Sequence, residues 1–320
     1  MMNCADKHPW EIDVAVLCIF FVRDDCFSQS FEAVRQARPS KLLLWQDGPR
    51  NEKDMEGIEK CRKIAENIDW DCEVYRCYND KNYGCDPSTF YSHKWAFSIV
   101  DKCIILEDDL VPSPSFFKFC KELLDKYEND ERIDRICGTN LLDEYNIEDD
   151  YFFSQWGNSW GWASWSRVAK KWEENYAFMD NEYAVSRMRE LVPAKDLKGH
   201  LEWEKTCLLH KKEGIPYWEF LIGAEALLNN RLIIYPRVNM VENIGLDKNS
   251  THAPENIEIL SKTKQRFFTR KAYDLQFPLK HPKYIIEDRV FPQLCKESLH
   301  VPFNEKLESA IKKIKSRIIK

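Results

Sequence analysis

Glycine is scarce in this sequence. The chain has 320 residues and only 10 of them are glycine, whereas glycine makes up about 7% of an average protein. No two glycines lie closer than four positions apart, so the patterns GxG, GxGxxG and GxxxxGKS/T are absent. Their absence excludes the glycine-rich phosphate-binding loops of Rossmann and P-loop proteins. If the protein binds a nucleotide, other groups must neutralise the phosphates.

Long apolar runs and paired cysteines are also missing. The apolar run at 14–22 is nine residues long, which is too short to span a bilayer and is typical of a buried strand. No early basic region of a signal peptide precedes it. The 12 cysteines form no CxxC pair, and several, including Cys18 and Cys103, lie in apolar runs where a thiol acts as a small hydrophobic group. We therefore expect a reduced, cytoplasmic protein and favour neither a disulfide framework nor a zinc site.

The charge is distributed unevenly. The chain holds 47 Lys and Arg against 53 Asp and Glu, a net charge of -6. Residues 256–320 contain 15 basic and 7 acidic side chains, so residues 1–255 carry a net charge of -14. The acidic body argues against nucleic-acid binding. The last fifteen residues, KLESAIKKIKSRIIK, have the spacing of a basic amphipathic helix. Such a helix either contacts the inner face of a membrane peripherally or packs on its own domain, and both interpretations stay open.

Apolar runs alternate with helical patterns over the first 130 residues. Strands are predicted at 13–22, 41–46, 72–77 and 102–106. Helices are predicted at 28–37, 52–67, 88–100 and 114–127. This order predicts an α/β fold with a doubly wound, mostly parallel central sheet and helices on both faces. We expect a catalytic domain over 1–255, with a strand pair near 231–244, and a basic, partly helical C-terminal extension over 256–320.

One predicted strand ends in three consecutive carboxylates, Glu107, Asp108 and Asp109, which we call the acidic triplet. Ligands of doubly wound sheets bind at the carboxyl ends of the strands. Three adjacent negative charges favour a compensating cation, and oxygen ligands suit Mg²⁺ or Mn²⁺. The alternative is a solvated strand end that helps to cap the next helix, for which Ser113 is the predicted cap and Pro114 the first residue. The shortage of glycine favours the metal site.

Several blocks of the sequence resemble a known family. ILEDDLVPSPSFFKFC resembles the metal-binding strand and following helix of the N-acetylglucosaminyltransferase I family, and more closely those of related bacterial nucleotide-diphospho-sugar transferases. Other blocks follow in the same order between residues 13 and 252. They are LLLWQDG (42–48), NYGC (82–85), KWAF (94–97), FFS (152–154), WGWASW (160–165) and PRVNMVENIGLDKNSTH (236–252). The resemblance implies a glycosyltransferase of the GT-A fold.

The resemblance also implies roles for residues at the strand ends. Asp109 would ligate the divalent ion, Mn²⁺ or Mg²⁺, that bridges the two phosphates of a nucleotide-diphosphate sugar. Asp108 would approach the ribose or nucleoside, and Glu107 the donor sugar. Asp47 would contact the base, and Arg23 would lie near the nucleotide.

The WGWASW block would form part of the wall around the acceptor and donor sugar, through Trp160, Gly161 and Trp162. Aromatic faces suit the apolar CH face of a pyranose, which supports this role independently. Tryptophan is also an ordinary core residue. Of Trp156, Trp160, Trp162 and Trp165, we expect at least two to belong to the core.

The catalytic base is less defined. The related bacterial pattern has Trp-Asp where this chain has Trp218-Glu219. A glutamate can deprotonate an acceptor hydroxyl, but its side chain is one methylene longer. Glu225, two turns further along the same predicted helix, is the second candidate. Glu219 could also simply be an exposed residue favoured by the helix dipole.

Two further positions bear on the ligands. Thr251-His252 closes the last matched block, and a neutral histidine could complete the metal shell or bind the diphosphate. His252 could equally be an ordinary polar residue. Asp86 stands where the bacterial pattern usually has lysine, so the treatment of phosphates by this loop differs from that pattern.

These observations lead to one main hypothesis and two alternatives. The main hypothesis is an inverting, metal-dependent glycosyltransferase that moves a sugar from a nucleotide-diphosphate sugar, UDP-sugar foremost, to a glycan or lipid-linked acceptor in surface polysaccharide synthesis. The first alternative is a non-catalytic carbohydrate-binding or scaffold protein on the same fold. The second is a sugar-nucleotide pyrophosphorylase, although the segment after Val22 lacks the glycine-rich basic loop of that class.

Overall fold

The computed structural model describes residues 7–155, 157, 159–192, 196–246, 260–305, 308 and 312. The strands are β1 (Ile12–Phe20), β2 (Pro39–Gln46), β3 (Glu73–Tyr78), β4 (Lys102–Glu107), β5 (Leu110–Pro112), β6 (Ile133–Cys137), β7 (Tyr151–Ser154), β8 (Trp162–Trp165), β9 (Leu232–Pro236) and β10 (Val241–Asn243). The α-helices are α1 (Asp24–Ala37), α2 (Met55–Ala65), α3 (Cys85–Ile99), α4 (Pro114–Lys126), α5 (Ser166–Ala169), α6 (Glu182–Leu191), α7 (Leu197–Glu213), α8 (Trp218–Leu228), α9 (Lys262–Phe268) and α10 (Phe291–Leu299). Short 3₁₀ helices cover Glu52–Asp54 and Ala177–Asp180.

The predicted alternation of strands and helices in the first 130 residues is confirmed, except that the three-residue strand β5 between β4 and α4 was not predicted. Helix α1 begins four residues earlier than predicted, with Asp24 and Asp25 in its first turn, where negative charge is favourable. Helix α3 begins three residues earlier, because Gly84 adopts a φ of 86° and turns the chain directly into the helix. Ser113 occupies the predicted cap position of α4, but its hydroxyl bonds that of Ser115 and does not cap the helix.

Eight strands form one sheet in the order β3-β2-β1-β4-β8-β6-β9-β7. Strands β1 to β4 are mutually parallel, and β6 and β9 run in the same direction. Strands β8 and β7 are antiparallel to their neighbours. Helices flank this sheet: α1 packs against α2 and α4, and α3 packs against α5 and α8. The expected α/β fold with a mostly parallel central sheet is therefore confirmed.

Two strands lie in the region 231–244 as predicted, but the prediction that they pair with each other is wrong. Strand β9 lies in the main sheet between β6 and β7, whereas β10 pairs antiparallel with β5, with Asn243 opposite Leu110. Asn239 lies between the two strands, and its side-chain amide donates hydrogen bonds to the carbonyls of Val241 and Lys271. This turn carries the chain out of the main sheet. As a result, β10 runs beside the segment that follows the acidic triplet.

The core lies between the sheet and its helices. Strand β1 is almost wholly buried from Val14 to Phe20, as expected for a parallel strand covered on both faces. A second cluster joins Phe152 and Tyr235 of the sheet to Phe291 and Cys295 of α10. Apolar burial of this kind contributes about 25 cal/mol per Å².

The C-terminal region lies along the body of the molecule where it is described. Leu275 and Leu279 belong to the main core cluster, and the Asp274 carboxylate accepts a hydrogen bond from the backbone of Ser115. The predicted domain boundary at residue 255 falls outside the described residues. Most of the predicted amphipathic helix at 306–320 also falls outside them.

No disulfide joins the cysteines in the described part of the chain, and Cys18 and Cys103 are buried as free thiols. Among the described helices, none has the length and apolar character that crossing a bilayer requires.

Candidate active site

The acidic triplet lies at the carboxyl end of the central sheet. Strand β4 pairs with β1 on one side and β8 on the other, and Glu107 is its last residue, opposite Ile19 of β1. The chain turns at Asp108 and Asp109 and continues as β5. The buried apolar residues of β4 thus fix three carboxylates at an edge of the sheet, as the sequence predicted.

Arg23 is the cation that contacts the triplet. It follows β1, and its guanidinium pairs with both carboxylate oxygens of Asp108 and lies 3.0 Å from Oδ2 of Asp109. Burial of the guanidinium opposes its charge, but the two carboxylates outweigh that cost, so the pKa of Arg23 is raised. Burial raises the pKa of Asp108 to about 6 despite the ion pair. The sequence placed Arg23 near a nucleotide, and the structure places it on the triplet.

A fourth carboxylate, that of Glu219, acts on the triplet through its charge. Removal from water raises the pKa of Glu107, and the negative charges of Asp109, Asp108 and Glu219 raise it further. Arg23 is the cation that pairs with Asp108 and Asp109. The surplus of negative oxygen ligands suits a divalent cation.

Gly245 forms a close-fitting support for Asp109. The backbone amide of Ile244 donates a hydrogen bond of 2.9 Å to the carbonyl of Asp109. A Cβ atom at Gly245 would lie 2.8 Å from Cγ of Asp109, which is closer than real Cβ contacts allow. Only glycine therefore leaves the Asp109 side chain in its observed position. The segment after β10 provides this support because β10 pairs with β5.

Asp47 holds a loop. Its carboxylate accepts hydrogen bonds of 3.0 to 3.2 Å from the backbone amides of Gly48, Tyr83 and Gly84 and from the side chain of Asn82. These bonds join the end of β2 to the loop that precedes α3. The predicted contact of Asp47 with the base of a nucleotide stays a prediction. The loop-holding role was missed, although a carboxylate after one strand and an Asn-Tyr-Gly turn after the next are the signal for it.

A cavity of 320 Å³ lies beside the triplet. Its apolar wall is the end of β1 and the residues after it, 19–22, and its polar groups include Arg23, Asp47, Glu107 and Asp108. A groove of 920 Å³ between α1 and α4 is larger, but no member of the triplet lines it. Since a ligand site needs converging polar groups, the smaller cavity is the better candidate.

The two candidate bases lie at opposite ends of α8. Glu219 is exposed in the first turn, accepts a hydrogen bond of 3.3 Å from Oγ of Ser159, and acts electrostatically on Glu107. Glu225 is buried and lies 2.9 Å from Nη1 of Arg231, just before β9. Burial raises the pKa of Glu225 to about 7, although Arg231 opposes this. The structure brings Glu219, and not Glu225, to the triplet.

The WGWASW block is divided between surface and core. Trp160 is half-buried, with its ring 6.0 Å from that of Phe268. Gly161 is buried with a φ of 60°. Trp162 is 1% exposed, so it presents no wall to a ligand directly. Trp165 is also buried, which confirms two core tryptophans in the block.

His93 is a buried residue that the sequence did not single out. Its ring contacts three tryptophans, Trp162, Trp172 and Trp218, at 5.1 to 6.1 Å between centroids. Neither ring nitrogen has a hydrogen-bond partner among the described residues. Burial lowers the pKa of His93 to about 3, so the ring is neutral at physiological pH. This aromatic cluster positions Trp218 and therefore the start of α8.

Three predicted residues lie outside the described part of the chain: Trp156, Thr251 and His252. Within the described residues, no group of three or more His, Cys, Asp or Glu has the arrangement of a metal-binding cluster. Arg23 lies between Asp108 and Asp109 in this structure.

No protein-family model and no curated protein sequence matches the chain. Among solved structures, mouse xyloside xylosyltransferase 1 in its apo form is similar, with 11% sequence identity. The match covers 68% of this chain and 81% of that chain, with a TM-score of 0.35. At this level of similarity, the description of the fold and the site rests on the geometry of the chain itself.

Proposed function

We propose that this protein is an inverting, divalent-metal-dependent glycosyltransferase of the GT-A type. One observation carries the proposal: Glu107, Asp108 and Asp109 lie at the carboxyl end of the sheet, where Arg23 pairs with Asp108 and Asp109 and the charge of Glu219 acts on Glu107. A cavity of 320 Å³ opens beside them. An excess of negative charge at a ligand cavity suits a divalent cation together with a phosphate-bearing substrate.

The donor would be a nucleotide-diphosphate sugar, UDP-sugar foremost. We assign the nucleotide to the cavity, with Arg23 and Asp47 at its polar side, Asp108 toward the ribose and Glu107 toward the sugar. Asp109, with His252 as a further ligand, would hold Mn²⁺ or Mg²⁺. When bound, such an ion supplies positive charge that neutralises a diphosphate leaving group.

Glu219 would act as the base. Its carboxylate takes the proton of the acceptor hydroxyl, and the hydroxyl oxygen then attacks the anomeric carbon from the face opposite the diphosphate. The new glycosidic bond forms as the bond between that carbon and the diphosphate oxygen breaks, which inverts the configuration. The hydrogen bond from Ser159 would orient the base.

The acceptor would be a glycan or a lipid-linked sugar in surface polysaccharide synthesis. Trp160 and Gly161 would form part of its wall, with Trp162 supporting them from the core. We place the enzyme in the cytoplasm, with the basic segment 306–320 in peripheral contact with the inner face of the membrane.

Nucleotide binding tests the proposal. In a thermal-shift and calorimetric series with UDP, GDP, dTDP and CMP, we expect one diphosphate to bind with Mn²⁺ and to lose affinity in EDTA. Asp109→Ala should abolish this binding while the fold stays intact. The matched control is Asp71→Ala, an exposed aspartate before β3, which should bind like the wild type. Affinity that is unchanged by EDTA and by Asp109→Ala would refute the proposal.

A further inference from the structure

A second cavity, also of 320 Å³, lies outside the candidate active site. The segment 174–180, the C-terminal end of α7 and Tyr91 of α3 enclose it. Its size is at the lower end of ligand pockets, about 300–1,000 Å³, and so suits a single ring.

The floor of this second cavity consists of aromatic side chains that are themselves buried and tightly packed. Tyr176 and His210 are buried, and the hydroxyl of Tyr176 lies 3.3 Å from Nδ1 of His210. The His210 ring stacks on that of Tyr217 with 3.6 Å between centroids. The backbone amide of Tyr217 donates a hydrogen bond of 3.1 Å to the Tyr176 hydroxyl. These contacts make the floor rigid, and the half-buried ring of Tyr91 is the more accessible aromatic surface of the lining.

The rim of the second cavity is polar. Glu174, Asn175 and Asp180 are exposed there, and Lys211 pairs with Asp180. Hydroxyl-rich ligands use carboxylate, amide and ammonium groups of this kind as hydrogen-bond partners. Two acids face one base, so the rim favours an uncharged or amine-bearing ligand over an anionic one.

The second cavity is connected to the candidate active site through packed residues. Tyr217 stands two residues before Glu219 at the start of α8. On the other side, the ring of Tyr91 packs against that of Tyr83, with 5.6 Å between centroids. The backbone of Tyr83 in turn donates to Asp47 at the nucleotide cavity. The two cavities are therefore linked through the residues that hold the proposed base and the loop before α3.

We infer that the second cavity binds an uncharged or amino-sugar pyranose of the acceptor, one that is not itself the attacking sugar. The half-buried ring of Tyr91 covers the apolar face of the pyranose, and the rim groups bind its hydroxyls. The inference rests on the proposed glycosyltransferase function and adds a substrate class to it: the acceptor is an oligosaccharide rather than a single sugar.

Saturation-transfer NMR tests this inference with six methyl glycosides as probes. Five are the methyl pyranosides of glucose, galactose, mannose, glucosamine and N-acetylglucosamine, and the sixth is the methyl glucuronide. We expect at least one of the five to show saturation transfer and the glucuronide to show none. Ala177→Trp fills the cavity from its wall and should reduce the signal at least about fivefold. Ala184→Trp, on α6 and outside the lining, should retain it.

Tyr91→Ala removes one ring from the cavity wall without adding bulk, and should also weaken the signal if the sugar stacks there. This second variant decides the question if Ala177→Trp lowers the melting temperature. No signal from any of the five probes, a signal from the glucuronide alone, or an unchanged signal in the folded cavity variants would overturn the inference. Metal-dependent nucleotide binding is measured on the same samples. If that binding is present while the sugar signals fail as described, the sugar-site inference is wrong and the proposed glycosyltransferase function is unaffected.

Discussion

Arg23 shows how a single residue sets the electrostatics of the candidate site. Its guanidinium is 15% exposed and pairs with Asp108 and Asp109, which lie beside Glu107 in one turn of chain. Without a cation these carboxylates would repel one another at short range. Arg23 therefore stabilises the turn in the absence of other ligands.

We predict that Arg23→Gln lowers the free energy of unfolding by about 3 kcal/mol in EDTA, because buried carboxylates lose their partner. Saturating Mn²⁺ should restore most of this loss, and should stabilise the variant more than the wild type. Urea unfolding with and without Mn²⁺ measures both effects. Arg132→Gln, which removes an exposed pair with Asp130, should cost less than about 1 kcal/mol. An equal effect of Mn²⁺ on Arg23→Gln and wild type would contradict this account.

The buried His93 makes the free energy of unfolding depend on pH in the acidic range. Burial lowers its pKa to about 3, against an ordinary value near 6.5. Between these values the unfolded chain binds a proton that the folded chain does not. The contribution of neutral His93 is therefore complete above pH 6.5 and is lost as the pH falls toward 3.

We predict that His93→Phe flattens the decline in the free energy of unfolding between pH 6 and pH 4, by up to about 1.4 kcal/mol per pH unit. Phenylalanine keeps an aromatic ring among the three tryptophans. Chemical unfolding across this range measures the slope. The exposed His300 serves as control, and His300→Phe should decline like the wild type. Parallel curves for His93→Phe and wild type would exclude the buried histidine as the cause.

At the scale of elements, helix α8 carries two glutamates with different surroundings. Glu219 in the first turn accepts a hydrogen bond from Ser159 and its charge acts on Glu107, and Glu225 pairs with Arg231 near the start of β9. The helix thus separates a proposed chemical role at one end from a structural role at the other.

We predict that Glu219→Gln lowers the rate of nucleoside diphosphate release from a sugar donor by at least about 100-fold, since it removes the base. Its affinity for the nucleotide should stay within about twofold of wild type, because Glu219 does not line the cavity assigned to the nucleotide. Glu225→Gln should instead lower stability by about 3 kcal/mol and leave the rate per folded molecule nearly unchanged. Release assays measure the catalytic effect and urea unfolding measures the effect on stability. A loss of rate in Glu225→Gln with a normal rate in Glu219→Gln would make Glu225 the base.

The pairing of β10 with β5 leads to a prediction about Gly245. An alanine there would meet the Asp109 side chain and push it from its position. We expect Gly245→Ala to weaken Mn²⁺-dependent nucleotide binding about tenfold, as a misplaced ligand should. The matched control is Gly199 in α7, where an added Cβ meets nothing within 4 Å. Gly199→Ala should bind normally and be more stable by about 0.5–1 kcal/mol. Calorimetry and thermal unfolding report both properties, and normal binding by Gly245→Ala would contradict the support role.

At the scale of the whole molecule, the sheet gathers distant residues at one edge. Arg23 follows β1, Asp47 follows β2 and the acidic triplet follows β4, and these strands are neighbours in the sheet. Because the carboxyl ends of parallel strands meet at the same edge, an α/β pattern with polar residues after each strand predicts such a site. The same logic fails for β10, whose three residues show no periodicity that would reveal a partner outside the main sheet.

The sequence by itself determined four of the five strands and the four α-helices of the first 130 residues, because hydrophobic periodicity acts locally and selects the buried face of each element; the short strand β5 was missed. It also determined that carboxylates follow β4 and that glycine-rich phosphate loops are absent. Only the tertiary structure decided which groups meet these carboxylates. Arg23 lies 85 positions from Asp108, and Glu219 acts on Glu107 from a helix, α8, that packs against α3 and α6. Pairing across such distances depends on packing of the whole chain, and no local pattern encodes it.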